Sequence, residues 1–72
     1  MRDYYRACSL YAIYLMENPA DAALATTAFS IMPEEQRIRL GKAIYKQNSK
    51  NQEIIMVLKK VLNPAEFQEI AK

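Results

Sequence analysis

The sequence predicts an all-α protein, a compact bundle of about five short helices forming one domain over residues 1–72. Three observations carry this. One glycine and three prolines are all that punctuate 72 residues; the apolar residues recur at helical spacing; and nothing reads as a strand. The chain therefore reads as helices joined by very short turns.

Asp3 can cap a first helix over about residues 4–17. Its apolar residues, including Tyr4, Tyr5, Cys8, Leu10, Tyr11, Tyr14 and Leu15, occupy about 240° of its circumference at 100° per residue, with Ile13 in the polar remainder. A helix so apolar must be covered on more than one side. Asn18 then stops this helix and caps the next, with Pro19 at the first helical position and Asp21 in the first turn. The second helix is rich in alanine, with Leu24, Thr27 and Ile31 on one face and Phe29 on the opposite one. Small residues let backbones approach, so it is expected to be the central packing helix.

Pro33, Glu34 and Glu35 open a third helix of about residues 33–47, acids placed where the helix dipole favours them. Asn48 and Ser49 break it, and Ser49 with Gln52 forms a capping-box pattern that launches a fourth helix to about Leu62. There Ile54, Ile55, Val57, Leu58, Val61 and Leu62 share one arc of about 160°. Met56 falls outside that arc among polar residues, either as a stray exposed side chain or as a contact point. Asn63, Pro64, Ala65 and Glu66 repeat the asparagine–proline start signal and open a last helix of about residues 64–71. True sequence repetition is not expected, because Ala20, Leu24 and Ile31 have no full counterpart after Asn63.

A chain of this length buries only about 60% of the surface it exposes when unfolded, so it needs a disulfide, a metal or an association to add stability. Cys8 is the only cysteine and there is no histidine. No intramolecular disulfide can form, and no metal or other cofactor is expected. Association remains, and the 51% hydrophobic content points the same way. A lone thiol and opening residues without a signal-peptide pattern imply a cytoplasmic protein. The longest apolar run, Leu10 to Met16, is far shorter than the roughly 20 residues of a membrane span, so no membrane role is expected.

An enzyme is not expected, and neither is a small-molecule substrate. General acid–base work uses histidine or perturbed carboxylate pairs, and nucleophilic work needs an activated Ser, Cys or Lys beside a base. Cys8 lies in the densest apolar face of the first helix, the setting of a buried filler. The acids sit in helix first turns, and Gly41, the one glycine, reads as a close-packing position rather than a phosphate loop. No catalytic residue is assigned.

Two surfaces could bind a partner. Tyr4, Leu10, Tyr11, Ile13 and Tyr14 on the first helix form a candidate protein interface, since tyrosine suits contacts with one dry and one wet end. The alternative is a core stripe whose hydroxyls reach the rim. The second surface is basic: residues 33–60 carry +4 while the segments on either side carry −1 each. Arg39, Lys42 and Lys46 share about 60° of the third helix, and Lys50 continues the line toward a nucleic acid or an acidic partner, or forms only a solvated face. Residues 40–60 loosely fit a helix-turn-helix, although Ser49 stands where an apolar turn residue is expected and Ile55 and Met56 would face DNA.

The opening Met1 through Cys8, on a compact, all-helical chain nearly free of glycine, resembles the small accessory proteins encoded in the early operons of temperate lambdoid bacteriophages. That resemblance implies a regulatory protein that tunes phage development or host physiology by binding a host protein. It carries no functional residue across. The expected function is non-enzymatic, with contact through helices, as a homodimer or with a host protein. The alternative is a small DNA-binding regulator using the pair of helices at residues 40–60.

Overall fold

A computed structural model describes residues 2–71. Five helices follow one another: α1 (Arg2–Glu17), α2 (Ala22–Ile31), α3 (Glu34–Gln47), α4 (Gln52–Val61) and α5 (Pro64–Ala71). No strand occurs among the described residues, and the all-α bundle is as the sequence predicts.

The helix boundaries correct three capping assignments. Asp3 lies inside the first turn of α1, where it complements the dipole. Asn18 does not cap α2; its amide Nδ2 donates to the Tyr14 carbonyl at 3.1 Å and so closes the end of α1. Pro19 has no N–H to offer and restricts the residue before it, so the chain makes a turn in which the Asp21 N–H donates to the Asn18 carbonyl. Asp21 is then the cap, its Oδ1 accepting from the Leu24 N–H at 3.0 Å. The same arrangement replaces the expected capping box at Ser49. Asn48 Nδ2 donates to the Ile44 carbonyl, the Asn51 N–H donates to the Asn48 carbonyl, and Asn51 Oδ1 caps α4 through the Ile54 N–H. An asparagine that ends one helix, followed three residues later by an Asx that starts the next, is thus used twice.

The other two connections are tighter. Met32 with Pro33, and Leu62 with Asn63, link successive helices, and both Met32 and Leu62 are extended and buried. Pro33 precedes α3 without a side-chain cap. At α5 the asparagine device works as expected: Asn63 Oδ1 accepts from the Glu66 N–H at 2.8 Å and Glu66 Oε1 accepts from the Asn63 N–H at 3.2 Å, a reciprocal capping box.

The core gathers Cys8 and Leu15 from α1, Ala25, Ala28 and Phe29 from α2, Leu40 and Ile44 from α3, Ile54, Val57 and Leu58 from α4, and Ile70 from α5, joined by Met32 and Leu62. α2 lies between α1 and α4, and α4, which packs on α2, α3 and α5, holds the more central place; α2 buries Ala25, Ala28 and Phe29 while Ala22, Ala23 and Thr27 stay exposed. The α4 stripe is as expected, with Ile55 and Val61 half-buried at its edges. α3 and α5 form the most extensive helix pair. Gly41 faces this contact: a Cβ there would stand 3.2 Å from Leu62 Cδ1, tighter than ordinary contact, and 3.4 Å from Ile70 Cδ1, at ordinary contact. Across the same pair, the Tyr45 and Phe67 rings meet edge to face at 6.0 Å, and from α4 Lys59 Nζ lies 5.5 Å from the Phe67 centroid.

Candidate interaction surface

α1 packs chiefly on α2, with about half of its circumference turned to the core. Cys8 and Leu15 face inward, Tyr11, Ala12 and Met16 are half-buried against the core, and Tyr4, Tyr5, Leu10, Ile13 and Tyr14 are exposed.

The five predicted interface residues therefore divide. Leu10, Ile13 and Tyr14 stand on the solvent side of α1. Tyr11 belongs to the edge of the core. Tyr4 is exposed at its ring but engaged at its hydroxyl, which donates to the Ile31 carbonyl at 2.7 Å; the Cys8 thiol also points at that oxygen, from 4.0 Å. The carbonyl lies at the C-terminus of α2, where helical partners run out, so Tyr4 fastens the start of α1 to the end of α2. Partial desolvation, and then its neighbour Cys8, push the Tyr4 phenol above its ordinary value, which keeps the donor protonated. The Tyr5 ring stands edge-on to Tyr4 at 5.6 Å.

Between α1 and α3 runs an open groove of about 470 Å³ with a floor of Ala12, Met16, Leu40 and Ala43 and a rim that includes Glu35, Gln36 and Arg39. Arg39 shares its charge with Glu35 one turn earlier, at 3.2 Å, an exposed pair that adds little stability. Lys42, Lys46 and Lys50 are exposed and make no ion pair among the described residues. Arg39, Lys42 and Lys46 are exposed on α3, and Lys50 is exposed in the turn that follows it. The pair α3–α4 is joined by a short polar turn, and α4 offers Gln52, Glu53, Met56, Lys59 and Lys60 to solvent, Met56 at 68% exposure.

Sequence reasoning read Glu66 only as a first-turn acid and passed over Arg37. The structure joins them. Arg37 Nε and Nη2 both donate to Glu66 Oε2, at 2.9 and 2.7 Å, while its Nη1 donates to the Met32 carbonyl at 2.6 Å. Glu66 is 4% exposed. Burial by itself would raise its carboxyl, but hydrogen bonds from Arg37 and from the Asn63 N–H, with the Arg37 charge, outweigh it and hold the group below the usual carboxylate range. The N-x-x-E pattern at Asn63 to Glu66 signals one half of this cluster. The other half is Arg37's place on the inner side of α3, about 60° from Leu40, where an unpaired cation would be costly.

These contacts leave no polar side-chain atom buried without a partner among the described residues, no cluster of three or more metal-binding side chains, and no helix long and apolar enough to cross a membrane. Comparisons with family models, curated proteins and solved structures found no match.

Proposed function

We propose that this chain is a non-enzymatic regulatory or accessory protein that acts by helix-mediated protein contact, with the outer side of α1 as its docking surface. The observation that carries this reading is the exposure of Leu10, Ile13 and Tyr14 on one side of α1, while the buried polar side-chain atoms among the described residues all have partners. Large apolar side chains grouped on one exposed helix face favour association, since covering them contributes about 25 cal/mol per Å². The partner is a second copy of the chain, a host protein, or both in turn. A cytoplasmic setting fits the lone reduced thiol of Cys8. A role in tuning phage development or host physiology fits the resemblance of the opening segment to phage accessory proteins. The rival, a DNA-binding regulator built on α3 and α4, is less well supported. Glu53 in the first turn of α4 would repel phosphate, and Met56 offers no hydrogen bond to a base edge.

Replacing Leu10 and Ile13 together by Glu tests the reading. Both side chains are exposed, so helicity by circular dichroism is expected to stay intact. Every association of the chain, with itself in sedimentation or with a protein retained from its native host, is expected to be lost. An association that survives in the folded double variant overturns the assignment.

A further inference from the structure

The outer side of α1 has a finer pattern than exposure alone. Arg6, Leu10, Ile13 and Glu17 follow one another at spacings of four, three and four residues, the a/d spacing of a coiled-coil seam. All four are exposed, Leu10 by 43% and Ile13 by 54%. On the opposite face of the helix, half a turn away, Cys8 and Leu15 are the side chains that bind α1 to its own core. The seam is thus apolar in its middle, basic at one end and acidic at the other, and points straight out from the molecule.

We infer that this seam pairs antiparallel with the same seam of a second copy about a two-fold axis, so that Leu10 packs on Ile13 and Arg6 pairs with Glu17 of the opposite subunit, each contact occurring twice. The inference rests on the docking surface proposed above and names its occupant. Antiparallel helices place each a position against a d position, so one register satisfies both layers. In that register Asp3 falls opposite residue 20, beyond the end of the facing helix. On the flank, Tyr14 comes beside Ala7, a large side chain over a small one. A parallel pair would instead set Arg6 on Arg6 and Glu17 on Glu17, repulsive at both ends, and would align the two helix dipoles unfavourably. The charges therefore select a second copy in one orientation. With only two apolar layers the contact falls in the small, transient class of interfaces, and the dimer dissociates on dilution.

Sedimentation equilibrium of the full chain across the micromolar range tests this. The parent is expected to dimerise reversibly. Arg6→Glu and Glu17→Arg each turn two attractive pairs into two repulsive ones and are expected to weaken the dimer roughly ten- to thirty-fold. The combined Arg6→Glu/Glu17→Arg chain restores opposite signs in the antiparallel register and is expected to return within about threefold of the parent. An equimolar mixture of the two single variants is expected to form the heterodimer ahead of either homodimer. A parent that stays monomeric overturns the inference, as do single variants that dimerise like the parent or a combined variant that does not recover. If Leu10→Glu/Ile13→Glu abolishes retention of a host protein while the parent stays monomeric, self-pairing fails and the docking surface stands. If that variant keeps every association, the docking surface itself has failed.

Discussion

The two ends of this molecule are built by different means. The α3–α5 end is held by several kinds of contact at once: a buried ion pair, a reciprocal capping box, an edge-to-face ring pair, a cation over a ring, and close packing of Leu62 and Ile70 on Gly41. The α1 end is held by apolar packing along one face and, among the long-range hydrogen bonds, by Tyr4 and Cys8 on a single carbonyl. The difference teaches where association can act without dismantling the fold. Each constraint at the α5 end already has its partner inside the chain, whereas α1 keeps Leu10, Ile13 and Tyr14 exposed.

Removing the guanidinium at the α5 end should have the largest effect on this contrast. Arg37→Ala leaves the Glu66 carboxylate buried without its cation and frees the Met32 carbonyl. Breaking a buried pair in this way costs about 3–5 kcal/mol; the Arg37 side chain keeps 25% of its exposure, so water can partly replace it and the lower end of that range is expected. For a domain this small, about 3 kcal/mol is a large share of total stability. Urea unfolding followed by circular dichroism reads it, and a midpoint within error of the parent would mean that the α5 end is not held through this cluster.

Acid should reach the same cluster by a gentler route. The Glu66 carboxyl sits below the usual carboxylate range in the folded chain. Its stabilisation is therefore fully present above the unfolded value of 4.5 and is lost as pH falls through the lower folded value, because the unfolded chain then binds the proton first. Glu66→Gln removes that linkage. The variant should be less stable at neutral pH, since an amide is a poorer partner for Arg37, and its stability should decline less steeply below about pH 4.5. Unfolding midpoints measured from pH 7 to pH 2.5 distinguish the two curves; parallel acid limbs would remove Glu66 from the linkage.

The sequence makes the helices legible because each depends on local signals: the 160° stripe of α4, the acids opening α3, the asparagine before Pro64. It is less informative where two neighbouring residues can do the same job. Asn18 and Asp21 can each cap a helix, and so can Ser49 and Asn51; what decides is which side chain the previous helix has already engaged, a property of the folded turn. The reach of Arg37 to Glu66 across 29 residues depends on how α3 and α5 cross, which no local spacing encodes. Along α1 the reading was closer. Its excess of apolar surface is visible as an arc on a helical wheel, while the division into Tyr11 at the core, Tyr4 tied to α2, and Leu10 with Ile13 in solvent depends on where α2 lies.

That division makes Tyr4→Phe the most delicate probe of the α1 end. The variant keeps the ring and its contact with Tyr5 but withdraws the donor from the Ile31 carbonyl, which can turn to water instead, so the loss of stability should be smaller than for Arg37→Ala. It should also be local. Hydrogen exchange in the first turns of α1 and the last turn of α2 is expected to quicken, while protection in α3 and α5 stays at parental values. Alkaline pH should mimic the change in the parent alone. The folded phenol titrates above its ordinary value, so its contribution is present below pH 10 and disappears as pH rises through the folded value. Exchange that quickens equally in α1 and α5 would mean that the two ends unfold as one unit, and that the freedom assigned here to α1 belongs to the whole chain.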